Sequence, residues 1–213
     1  MGAHGSDAAI RRRDVAIAGH RGDVAVARAG LADTDASVRQ VALGALERLG
    51  MLTGDDLRSA LADADVAVRR RAVMVAAGHR DIDLVAMLHD VDARIVEVAA
   101  WACGEHETVT EAVVERLIEL GTDADEPLVR ESAVAALGAI GDRRGLHVIV
   151  AATADKPAVR RRAVLALAPF LDDEEFGELV DSTIDRALED RDWQVRQAAE
   201  DLRRITGTDS DDD

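Results

Sequence analysis

Apolar residues return along this chain in one layout, plain in the stretch LADADVAVRRRAVMVAAGH from Leu61 to His79. Each copy can be anchored on an apolar residue that usually precedes an arginine. The anchors are Ile10, Val38, Val68, Ile95, Val129, Val159 and Val195, with successive gaps of 28, 30, 27, 34, 30 and 36 residues. Counting from an anchor, further apolar residues stand at offsets 4, 5, 8 and 11, as in Val38, Ala42, Leu43, Leu46 and Leu49 or Val129, Ala133, Val134, Leu137 and Ile140. Those offsets make one stripe on an α-helix. No segment alternates with a period of two in β-branched or aromatic residues, so the pattern predicts an all-α chain without a sheet. A period near 30 predicts stacked helix pairs, a right-handed α-solenoid of about six to seven repeats.

Polar residues mark the ends of these helices. Three positions before the anchors stand Asp7, Asp35, Asp65, Asp92, Glu126, Lys156 and Asp192, and the two copies without Asp continue with Pro127 or Pro157. An Asp there can accept an unpaired backbone N–H, and Pro at the first helical position has no N–H to leave unpaired. Offset four is small, as Ala42, Ala72, Ala99, Ala133, Ala163 and Ala199, except for Asp14 in the first copy. Gly50 and Gly141 are placed to end two helices in a left-handed conformation. Second helices are expected near 23–32, 54–62, 81–89, 109–121, 142–153 and 173–189, with a capping box at Thr108 and Glu111 and N-caps at Asp142 and Asp172.

The pattern D-x-x-V-R-x-x-A-x-x-A-L-G-x-L-G is carried best by DASVRQVALGALERLG (35–50) and EPLVRESAVAALGAIG (126–141). It resembles the HEAT-repeat superfamily, most closely the short-repeat, phycobilisome-lyase-like branch, over roughly residues 7–205. The resemblance implies a single binding-scaffold domain across 7–205, between a tail at 1–6 and a disordered acidic tail at 206–213. It also implies a ladder between repeats, formed by the Asp before the anchor and the Arg after it. That arginine is present as Arg11, Arg39, Arg69, Arg130, Arg160 and Arg196, and Val96 breaks the series.

Composition changes the setting. Acidic residues outnumber basic ones 42 to 26 for a formal charge of −16, Lys156 is the only lysine, and aromatics are 2%. Dense short carboxylates resemble the surfaces of proteins that work in molar salt inside halophiles; a high-G+C genome would favour the same codons. Phosphate-driven binding weakens as salt rises, so nucleic acid is a disfavoured partner. The clusters Arg11–Arg13, Arg69–Arg71 and Arg160–Arg162 read as one ladder residue each beside solvated neighbours.

On the concave side of such an array a ligand would meet offsets two and six. Offset six holds Ala16, Gly44, Met74, Trp101, Ala135, Leu165 and Asp201, and offset two holds Arg12, Gln40, Arg70, Glu97, Glu131, Arg161 and Gln197. Met74, Trp101 and Leu165 rimmed by Arg70, Glu97 and Arg161 are therefore the candidate contacts for another protein or a peptide. Trp101 either anchors a partner there or fills a gap between neighbouring repeats; Trp193 is expected to pack at the start of the last helix.

Enzymatic relatives implied by the resemblance find little footing. HEAT-like deoxyhypusine hydroxylases look like several His-Glu pairs around a di-iron site, whereas His106-Glu107 is the single pair here. HEAT-like alkylpurine DNA glycosylases, the rival reading, need a basic aromatic cleft and a catalytic Asp. A bilin-lyase role lacks Tyr and has one Cys to work with. His20, His79 and His106 fall near helix C-termini, where an imidazolium meets the negative dipole end. Cys103 sits at offset eight, on the core face. The expectation is thus no catalytic residue, no cofactor and no metal, in a cytoplasmic protein. It would be a monomer whose first copy caps itself, or else a weak dimer or part of a longer chain.

Overall fold

The computed structural model describes the backbone of residues 3–208 and the side chains of residues 7–205. Among them are twelve α-helices and no strand. Anchored helices are α1 (Ala3–Arg21), α3 (Ala36–Arg48), α5 (Val66–Ala76), α6 (Ala93–Gly104), α8 (Pro127–Ile140), α10 (Pro157–Leu165) and α12 (Trp193–Thr208). Between them run α2 (Val24–Ala29), α4 (Gly54–Leu61), α7 (Glu111–Asp123), α9 (Leu146–Ala152) and α11 (Gly177–Leu188). Helix α1 opens inside the expected N-terminal tail and α12 carries three residues of the expected C-terminal one. Residues 1, 2 and 209–213 lie outside the described residues.

The chain forms two compact units, residues 1–98 and 99–213, whose border falls inside α6. In the first, α3 packs between α1 and α5, with α2 and α4 laid against them. In the second, α10 packs between α8 and α12, and α7, α9 and α11 form the other layer. Six anchors and all six offset-four alanines are buried. These alanines let helix backbones approach closely.

Ile10 departs from the pattern. It is 56% exposed, and the first copy buries Ala8, Val15 and Ala18 instead. Its offset-four position is the exposed Asp14, so no close approach is made there. Asp7 lies within α1 and cannot cap it. The interval 81–89 is a second correction: it holds only a 3-10 turn over Val85–His89. The gap from Val68 to Ile95 is the shortest in the chain, and the interval buries Ile82, Leu84 and Leu88 from a turn.

Helix ends follow the sequence in part. Asp35, Asp65, Asp92 and Asp192 accept the N–H of Ser37, Ala67, Arg94 and Gln194. Glu126 and Lys156 make no side-chain cap, and Pro127 and Pro157 open their helices. Gly50 and Gly141 adopt φ of 65° and 71°. The Thr108 box is absent because α7 starts at Glu111 after Thr110, which leaves Glu111 free to pair with Arg144 at 2.6 Å. A capping box stands instead at Thr53 and Asp56, and Asp173, not Asp172, accepts the N–H groups of Glu175 and Phe176 in the turn before α11.

The ladder exists, but its acid is shifted. Arg39 meets Asp63, Arg69 meets Asp90, Arg130 meets Asp155 and Arg160 meets Asp190, each through Nε and Nη2. Arg11 meets Asp33 in the same way. These acids stand one or two residues before the N-cap, in the turn that enters the next repeat. The capping residue expected to form the rung keeps its own helix start instead. Each of the four later arginines also donates Nη1 to a carbonyl of the turn before its own helix, at Asp33, Asp63, Ala124 and Asp155 respectively. One guanidinium therefore clamps two successive turns. The charged hydrogen bonds hold the acids ionised: Arg11, helped by the Asp35 N–H, lowers Asp33 to about 2, and the rung arginines pull Asp63, Asp90, Asp155 and Asp190 below the usual carboxylate value.

Candidate binding face

Offsets two and six occupy the side of the anchored helices that the core stripe leaves over, and three recesses open there. In the first unit a recess of about 370 Å³ is lined by Gln40, Arg70 and Arg71 at offsets two and three, Gly44 and Met74 at offset six, and His20 and Arg48 at offset ten. In the second unit one of about 320 Å³ is lined by Trp101, Glu105, Glu131, Ala135 and Arg162. Another in that unit, of about 250 Å³, joins Arg161 and Leu165 to Trp193, Gln197 and Asp201.

The six residues singled out from sequence are distributed among these recesses. Arg70 and Met74 share the recess of the first unit, while Trp101 lines one recess of the second unit and Arg161 and Leu165 line the other. Glu97, half-buried on α6, is outside all three linings. Met74 and Trp101 are 40% and 43% exposed. Trp101 lies beside Gly104, Ser132, Ala135, Ala136 and Ala139, residues too small to cover an indole.

Several lining residues escape a reading confined to two offsets. Arg71 and Arg162 stand at offset three, and His20, Arg48 and Glu105 at offset ten, one helical turn to either side on the same face. The third arginine of the RRR runs at 69–71 and 160–162 was the available signal. Arg162 approaches Glu131 at 3.8 Å. Trp193 is a correction: it is 65% exposed, and instead of packing at a helix start it walls the recess of Leu165.

His79 Nε2 lies 2.9 Å from the Glu47 carboxylate, giving it a charged partner where a helix-end cap was expected. His106 and Cys103 are buried. Among the described residues no cluster of His, Cys, Asp or Glu is arranged to hold a metal ion, and no helix is long and apolar enough to cross a membrane.

The family profile of HEAT repeats matches residues 54–138 and, in overlap, 83–168, together more than half of the chain. No curated protein matches the chain in sequence. Among solved structures it is similar to YibA of Escherichia coli, with a TM-score of 0.64 and 19% identity over 85% of this chain and 68% of that one. It is similar to an engineered protein at TM-score 0.61 and 20% identity, over 86% and 57% of the two chains. A designed armadillo repeat protein follows at TM-score 0.58 and 19% identity, over 81% and 95%. Likeness at such identity speaks for the fold, the α-solenoid class, and not for an activity.

Proposed function

The chain belongs to the HEAT-repeat family, and from that premise we propose that it is a non-enzymatic scaffold that holds another protein or a peptide against the face built from offsets two, three, six and ten. The observation that carries this reading is Trp101, an indole left 43% exposed over a floor of small residues between Glu131 and Arg162. A large aromatic with uncovered apolar surface and nearby polar groups is the arrangement interfaces use as an anchor. Within the family we assign the chain to the short-repeat branch. The charge of −16 with one lysine supports a salt-adapted cytoplasm as its setting and a monomer or weak dimer as its state. Mutual repulsion keeps such a surface from associating.

Trp101→Ala tests the scaffold. Helicity by circular dichroism stays at the wild-type level, while proteins retained by the wild type in affinity capture at molar salt are lost. Unfolding of the variant places the indole in the core, and unchanged retention places the contact elsewhere; either result removes the reading.

A further inference from the structure

Six arginines of the first unit, Arg11, Arg28, Arg39, Arg58, Arg69 and Arg94, each meet an aspartate within 2.9 Å. Arg48, Arg70 and Arg71 are different. All three converge on the recess that also holds His20, Gln40 and Met74, and no carboxylate lines it. Among the described residues none of the three has an acid within ion-pair distance, in a chain where acids outnumber bases 42 to 26. Leaving three guanidinium groups together without counter-charge is unfavourable unless something else supplies it.

Gly44 shapes this cluster. A Cβ built on it would lie 2.6 Å from Arg71 Nη2, so the guanidinium rests where any side chain would displace it. Gly44 is inside α3, where glycine is disfavoured relative to alanine by about 1 kcal/mol. A bare backbone at that point therefore serves the position of Arg71, not the helix.

We infer that this recess is a carboxylate-recognition site and that its occupant is an acidic peptide segment, with one or two carboxylates on Arg48, Arg70 and Arg71 and a neighbouring apolar side chain on Met74. The inference rests on the scaffold reading only for the face it occupies. Planar guanidinium forks match carboxylates in paired hydrogen bonds. Such short contacts persist in salt that screens the long-range repulsion from the chain's net charge. A nucleic acid fits less well. Single-strand binding needs aromatic platforms for bases, and residues 1–98 contain no Trp, Tyr or Phe.

The test is a fluorescence anisotropy titration of the full chain with labelled hexaglutamate, and in parallel with a six-nucleotide oligothymidylate. Hexaglutamate is expected to bind and the oligonucleotide to bind more weakly. Arg70→Glu combined with Arg71→Glu weakens hexaglutamate binding by about tenfold or more. Gly44→Ala also weakens it, at an unchanged or higher melting temperature, because only the flexible end of Arg71 has to move. Arg58→Ala, on α4, leaves it as in the wild type. Absence of hexaglutamate binding, tighter binding of the oligonucleotide, or insensitivity to the double variant or to Gly44→Ala overturns the inference. None of these outcomes touches the capture experiment on Trp101, so the two readings fail separately.

Discussion

The Arg39 guanidinium lies along the Asp63 carboxylate in two parallel hydrogen bonds of 2.8 and 2.7 Å, while its remaining Nη1 reaches the Asp33 carbonyl at 2.8 Å. The pair is 19% and 14% exposed, so solvent screens it only in part. Asp63→Ala strands the guanidinium and removes the acceptor of the Asp65 N–H. A cost of about 1–3 kcal/mol follows from leaving such groups unpaired. Asp65→Ala removes only a helix cap and costs about 1 kcal/mol. Urea denaturation of the two variants measures the order; a larger loss for Asp65→Ala would return the rung to the capping residue.

Acid should unfold the protein late. Asp33 and Asp92 are lowered to about 2, by hydrogen bonds from Arg11 and Arg94 respectively, and the rung carboxyls Asp63, Asp90, Asp155 and Asp190 are also lowered. Their unfolded value is about 3.9. Folded-state values below the unfolded one mean that the unfolded chain takes up protons first as pH falls. The stabilisation is thus complete above about pH 4 and drains towards about pH 2. Circular dichroism against pH checks this, and a transition centred above about pH 5 would point to groups other than these aspartates.

Two glycines in anchored helices are expected to respond oppositely to a methyl group. A Cβ on Gly138 would lie 2.5 Å from Ala166 Cβ and 2.6 Å from its Cα, so α8 must move away from the chain at the end of α10. Overpacking of this kind costs about 1–3 kcal/mol. Gly44→Ala meets only a movable arginine tip and gains helix propensity of up to about 1 kcal/mol. Thermal melts of both variants separate the cases; equal shifts would show that α8 and α10 can part freely.

Salt should stabilise the wild type. With −16 formal charges the folded chain repels itself, and added electrolyte relieves that repulsion. Melting temperature is expected to rise from about 0.1 M to about 2 M KCl, where the screening length falls well below the spacing of most surface charges. A flat or falling curve removes the support for a salt-adapted setting.

The buried stripe was legible because it is periodic: Val38, Ala42, Leu43 and Leu46 are buried as their spacing requires. Ile10 was misplaced because spacing says nothing about what packs outside a first helix. The rung acids Asp33, Asp63, Asp90 and Asp190 were missed because their D-x-D turns offer two carboxylates, and only turn geometry decides which one faces the previous repeat's arginine. Arg48 and Arg71 were missed for another reason: neighbours on a helix face are fixed by several turns of adjacent helices at once, and offsets counted along one helix cover only part of that surface.

Each guanidinium clamp ties a turn only to the turn after it. Exchange of material between such proteins can therefore proceed by whole modules, since any unit that keeps an entering aspartate and a departing arginine arrives with its fastenings. Lineages can lengthen or shorten the array this way without inventing a new joint, and vary the exposed face independently.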